Sequence, residues 1–231
     1  MALSVKTAPM GGGKQFKTDP MEAGAYPARL VGIVDLGLQP QQFNKEEKAP
    51  KREISFTYEF VDMFLQDEDG EDQLDKPRWL SEQMPLNNIE SDKAKSTIRY
   101  KTFDPNNVHD GDFIKCLGMP LTVTIIQDPN SKNGKIYNKI VGVSAMRPKD
   151  AEKCPPLVND MFVFDLEDPD VAVFMKLPKF IQDKIKSNLE YNGSKLEALL
   201  KNVKSDTPPK AEAAPVPPKK LAEELDEESP Y

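Results

Sequence analysis

From Arg52 to Val61 the chain alternates residue by residue. Ile54, Phe56, Tyr58 and Phe60 fall on one side of an extended strand, and Glu53, Ser55, Thr57 and Glu59 on the other. One face is expected in a core, the other against solvent or a ligand. An earlier strand lies in GAYPARLVGIVDLGLQ, Gly24 to Gln39, where Tyr26, Ala28 and Leu30 alternate before the register slips near Val31 and Gly32. A glycine inside such a run marks a bulge, which lets a long strand bend to serve two neighbours. A third strand, Arg78 to Met84, sets Trp79, Ser81 and Gln83 against Leu80 and Met84; the acidic stretch around Asp69-Gly70 is the tight turn before it. Two further strands, Leu121 to Ile126 and Ile136 to Ser144, are joined by QDPNSKNGK, in which Asn133-Gly134 is a strong hairpin marker.

Between the third and fourth strands, Ser91-Asp92 opens a helix over Lys93 to Phe103. Ala94, Ile98 and the stem of Lys101 are expected on its inner stripe, with Lys93, Lys95 and Arg99 elsewhere. Phe113 to Leu117 adds a short turn ended by Gly118. The order strand, strand, strand, helix, strand, strand is that of the OB fold. The expected fold is therefore mainly β: a five-stranded Greek-key barrel, closed or nearly so, with a helix between strands 3 and 4. A generic antiparallel sandwich is the competing architecture. Past Arg147-Pro148, helices are expected at Asp170 to Leu177, Lys179 to Leu189 and Ser194 to Val203. Their apolar residues, Phe174, Leu177, Phe180, Ile181, Ile185 and Leu189, suit a satellite packed on the barrel or a dimer surface.

The organisation that follows is a flexible N-terminal arm (1–22), an OB domain (23–147), a helical extension (148–203), a Pro/Lys-rich linker (204–220) and an acidic tail (221–231). At 231 residues, one domain with appendages is the economical reading. No run approaches the roughly 20 apolar residues that cross a bilayer, and the N-terminus has no apolar signal core, so an intracellular protein without membrane partners is expected. Cys116 and Cys154 are too few for a disulfide framework or a structural zinc site, and with His109 as the lone histidine neither a metal centre nor another cofactor is expected.

The formal net charge of −7 argues against a polyanionic ligand until it is divided along the chain. Glu223, Glu224, Asp226, Glu227 and Glu228 give Leu221 to Tyr231 a charge of −5, and Asp67 to Asp75 holds six acids and no base. The remainder of the chain up to Val203 sums to +2, so a basic face is compatible with the acidic total. The tail cannot pack against its own like charges. It hangs on a tether whose prolines (Pro208, Pro209, Pro215, Pro217, Pro218) favour extended conformations. A globular body, a stiff spacer and an acidic tip ending in Tyr231 suit a protein that binds a polyanion and regulates that binding.

Single-stranded nucleic acid offers base faces and phosphates, and a sequence-tolerant binder meets them with aromatic platforms flanked by cations. Trp79 with Arg78 on the third strand is one such grouping. Tyr137 and Lys139 on the last strand, with Lys132 and Lys135 in its hairpin, form another. Lys51 and Arg52, with Lys45 and Lys48, crowd the connection between strands 1 and 2, and Arg99 on the helix is undecided. Each aromatic also has a purely structural alternative: Trp79 filling the end of a barrel, Tyr137 covering apolar surface beside solvated lysines. Catalysis has little support. The triple glycine before Lys14 is followed by Gln15, which breaks the phosphate-loop pattern. The acids around Gly70 lack calcium-loop spacing. No Gly-x-Ser-x-Gly elbow occurs. A metal-dependent nuclease and a non-enzymatic interaction adaptor are the alternatives to nucleic-acid binding.

Four stretches, GAYPARLVGIVDLGLQP, PRWLSE, NGKIYNKIVGVS and a Pro-rich tether ending in ELDEESPY, resemble the single-stranded DNA-binding proteins encoded by tailed bacteriophages of enterobacteria. The resemblance spans about Gly24 to Val203, with the tail alike in kind. It implies a DNA-binding OB domain that coats single strands in phage DNA replication and recombination, in the cytoplasm of the infected host. It also implies an acidic C-terminus that limits binding or recruits replication and recombination proteins. Trp79, Tyr137 and the neighbouring Lys and Arg residues become the implied contacts, with a homo-oligomer or a cooperative array along the DNA. The terminal Tyr231 departs from the terminal Phe of several replication-type relatives.

Overall fold

Long strands dominate because β-branched and aromatic residues recur with period two. The computed structural model describes residues 19–129 and 136–205. Its first three strands are β1 (Gly24–Phe43), β2 (Glu46–Gln66) and β3 (Asp72–Pro85). Helix α1 (Lys95–Phe103) and a single 3-10 turn (Ile114–Cys116) lead into β4 (Pro120–Pro129) and β5 (Ile136–Ala145). A short helix α2 (Pro148–Ala151), strand β6 (Phe162–Phe164) and helices α3 (Val171–Lys176), α4 (Lys179–Lys186) and α5 (Lys195–Ser205) complete the order. Among the described residues no helix is long and apolar enough to cross a membrane.

The five long strands form one antiparallel sheet in the order β3-β2-β1-β4-β5, and β6 adds to β1 in parallel. β1 serves both β2 and β4, and its register slips between Leu30 and Gly32, where the glycine signalled a bulge. The Asp69-Gly70 turn also forms as expected: Gly70 has φ of 86°, and Asp67 accepts hydrogen bonds from the Asp69 and Glu71 amides.

A closed barrel does not form. Among the described residues no ladder joins β3 to β5, and the sheet stays open along that seam. Two other elements occupy it. Helix α1 contacts both β3 and β5. At the opposite end, the segment leading into β1 is stitched to the β4–β5 hairpin: the Met21 amide donates to Asn138 Oδ1 (2.8 Å), and Asn138 Nδ2 and Gln127 Nε2 donate to the Met21 carbonyl (2.8 and 3.1 Å). Met21 is buried in the main core. Of the expected N-terminal arm, residues 1–18 lie outside the described residues, and Met21 is tied to the sheet because its apolar side chain is buried and its backbone groups find partners.

Two cores lie on opposite faces of the sheet. The inner one joins Leu30, Phe56, Tyr58, Phe60, Leu121, Val123 and Ile125 to Tyr100 and Phe103 of α1. The outer one sets Val34 and Leu36 of β1 against Phe164, Phe174, Leu177, Ile181, Ile185 and Leu196. The outer face of β2 is consequently buried too, Ser55, Thr57 and Glu59 included, instead of meeting solvent. The extension is a second layer, with each buried Phe or Leu contributing about 1.5–3 kcal/mol.

Helix α1 differs from its expected packing. Its buried residues are Ser96, Thr97, Arg99, Tyr100 and Phe103, while Ile98 points outward. The helix begins at Ala94 and has no side-chain cap. A charge decides its orientation. Buried Glu82 of β3 receives Arg99 Nε (2.6 Å) and Nη2 (3.1 Å), Lys95 Nζ (2.8 Å) and the Tyr58 hydroxyl (2.6 Å). Burial opposes ionisation of Glu82, but these donors outweigh it and hold its carboxyl below the usual range.

Breaking a buried pair strands one charge, so Glu82→Ala is expected to cost about 3–5 kcal/mol in urea denaturation. The folded-state pKa lies below the unfolded one. Glu82 therefore stabilises fully above the ordinary carboxylate range, and that contribution disappears as pH falls through the depressed value. Stability measured against pH should fall more steeply on acidification for the natural chain than for Glu82→Gln.

Candidate nucleic-acid interface

Trp79 stands on the outer face of β3, opposite Glu59 of β2 in the ladder. The Glu59 carboxylate is 1% exposed and satisfied by four N–H donors from three residues: Trp79 Nε1 (3.0 Å), the Val158 amide (2.7 Å), and the amide and Nδ2 of Asn159 (3.3 and 2.7 Å). A buried carboxylate without donors would be very costly, so this strand residue fixes the path of a strap about a hundred positions downstream. The strap's other end is clasped by Arg29, which donates to the carbonyls of Gly118 (2.6 Å), Cys154 (2.8 Å) and Pro155 (2.6 Å). Its side chain is thereby committed to structure.

Beyond the strap, the Phe162 ring stacks on the indole at 5.9 Å between centroids and 25° between planes. It lies directly over Gly32, where an added Cβ would meet the ring at 2.1 Å. Trp79 is therefore fixed at its N–H and along one ring face, yet stays 42% exposed. It borders a cleft of about 420 Å³ lined also by Met161, Phe162, Val173, Lys176 and Leu177 among others.

The other predicted contacts separate into three places. Arg78 points inward, beside Asp19 and Tyr26. Partial burial lowers its pKa against the opposing pull of those two groups. Tyr137 and Lys139 lie on the outward face of β5, both well exposed, with Lys139 Nζ 3.8 Å from Asp128. Arg78 and Asn138 are linked across the seam through residues 19–21, so Trp79 and Tyr137, their immediate neighbours, face outward on the two strands that border it. Lys51 and Arg52 sit apart from these. Arg52 is seven residues from Glu59 along β2, about 23 Å of extended strand. Its guanidinium grips Asp35 and approaches Glu167 at 3.8 Å, and Lys51 donates to Asn87 at 3.1 Å. Arg99 is buried on Glu82 and presents no cation to a ligand. Lys132 and Lys135, and the tail residues Glu223, Glu224, Asp226, Glu227, Glu228 and Tyr231, lie outside the described residues.

Sequence reasoning missed Glu59 as the pin of the strap, and Met161, Phe162 and Lys176 as walls of the cleft. A glutamate within the regular alternation of β2 looked solvent-facing, and only the second layer makes it buried. Among the described residues, no group of three or more His, Cys, Asp or Glu side chains is placed to hold a metal ion. Comparison with models of protein families, with curated proteins and with solved structures finds no match to this chain.

Gly32→Ala should displace Phe162 and cost about 1–3 kcal/mol, as overpacked sites do. Trp79 is the single tryptophan, so its emission should move to longer wavelength in the variant. An unchanged spectrum with an unchanged urea midpoint would remove the stack from the account.

Proposed function

We propose that this chain binds single-stranded DNA without strong sequence preference, as an OB-type module whose acidic tail regulates binding or recruits partners. The observation that carries this reading is the outward face of β5. There an exposed ring, Tyr137, and an exposed cation, Lys139, share one strand beside a hairpin whose sequence adds Lys132 and Lys135. Rings meet bases and lysines meet phosphates, and neither distinguishes one sequence from another. The strand order β3-β2-β1-β4-β5, with a helix between β3 and β4, supports an OB barrel left open at its β3–β5 seam. The resemblance to phage proteins supports a place in phage DNA replication and recombination inside the infected host, acting by stacking and ion pairing rather than catalysis.

A second reading, an interaction adaptor, draws on Met175, Phe180 and Leu189, which the helical layer leaves exposed. A protein partner would cover such side chains, whereas DNA gains little from them.

Titrating the full chain with labelled oligo(dT) in dilute buffer decides between them. Binding that weakens as salt rises is expected, and an oligonucleotide that stays free sinks the DNA reading. Tyr137→Ala should lose about 1–3 kcal/mol of affinity, and Lys139→Ala should flatten the log–log salt slope by about 0.7. Deleting residues 221–231 should tighten binding at low ionic strength and change little at high salt, because a tethered polyanion is removed. Equal affinities across the salt series would rule out competition by the tail.

A further inference from the structure

We propose that the cleft between β3 and the C-terminal layer is a base-binding site, taking one nucleobase of the bound strand against Trp79, so that the extension forms part of the interface. This inference rests on the single-strand reading above. Four features of the cleft support it.

The space is of ligand size. At about 420 Å³ it falls within the range of roughly 300–1,000 Å³ typical of small-molecule pockets. Its floor is rigid as well: the indole is held at its N–H by Glu59 and on one face by Phe162. A base arriving there meets a platform that has no rotamer freedom left to lose. Because Glu59 already occupies the indole donor, Trp79 offers a π surface without hydrogen-bond readout, as sequence-tolerant stacking requires.

The walls are apolar and incompletely covered. Met161, 53% exposed, lines the cleft together with Val173 and Leu177. The charge at the lip is also distributed usefully. Lys176 stands exposed in the last turn of α3, whereas Lys179 is engaged with Asp183, Lys184 with Glu53 and Gln83, and Lys186 lies over the Phe174 ring. Asp160 also lines the cleft. A phosphate would therefore run along the Lys176 side, with the base directed toward Trp79 and away from Asp160.

The extension supplies Met161, Phe162, Val173, Lys176 and Leu177, and the sheet supplies Trp79. Without the strap, the indole would have neither its stacking partner nor the two amides that anchor Glu59.

The test uses the full chain and a fluorescein-labelled oligo(dT), reading anisotropy for binding and Trp79 emission for the cleft in one titration. Emission should be quenched with the same midpoint as the anisotropy rise, and iodide should reach the indole less well in the complex. Lys176→Glu reverses the charge of an exposed side chain that lines the cleft. It should keep the urea midpoint and weaken binding about tenfold, the equivalent of roughly 1.4 kcal/mol. An anisotropy rise with Trp79 emission and iodide access unchanged, or Lys176→Glu binding as tightly as the natural chain, overturns the cleft site while leaving single-strand binding intact. Absence of an anisotropy rise overturns the single-strand reading, and the cleft site with it.

Discussion

A carboxylate enclosed between two layers of protein has to be given hydrogen-bond donors, and the outer half of this molecule is arranged around that need. Glu59 belongs to the middle of β2, and its donors come from β3 and from a strap about a hundred positions later. Once Val158 and Asn159 are fixed there, the chain enters β6 beside β1, and Phe162 falls onto Gly32 next to the indole. The helices that follow close over Val34 and Leu36. Glu82 has the corresponding role on the inner face, where it draws Arg99 and Lys95 down and so orients α1 across the seam. One acid on each face of the sheet selects what covers that face.

These constraints explain why the candidate contacts do not form one continuous basic groove. Arg29, Arg52 and Arg99 each have the guanidinium in a structural clasp: backbone carbonyls, Asp35 and Glu82 respectively. Arginine suits such sites because its planar fork reaches several acceptors at once, whereas lysines remain at the surface as point charges. Lys139 and Lys176 are of that second kind, and each has an aromatic residue nearby: Tyr137 on the same strand face, and Trp79 across the cleft.

Much of the sheet was legible in the sequence because period-two alternation and turn chemistry are local. Ile54 to Phe60, the slip at Gly32 and the Asp69-Gly70 turn needed no tertiary information. What could not be read were choices made between distant elements. Ile98 looked like an inner position of α1 by hydrophobicity, but the pull of Glu82 on Arg99 rotates the helix so that Ile98 is left outside. Glu59 looked exposed because nothing in the run from Arg52 to Val61 announces a layer formed by residues beyond 154. Trp79 was recognised as either platform or filler. It is stacked on Phe162 and 42% exposed, and that partner, contributed by the distant β6, could not be read from the strand around it.

The parallel pairing of Phe162 with Gly32 joins positions 130 residues apart, with strands β2 to β5 between them in sequence. Such high contact order delays formation, since loop-closure entropy must be overcome before the contact gives anything back. On a ribosome, the strip of Val34 and Leu36 remains bare until the segment through Leu196 has emerged. During that interval the nascent sheet exposes apolar surface of the kind that favours aggregation, and a premature stop codon within the extension would leave that surface uncovered for good.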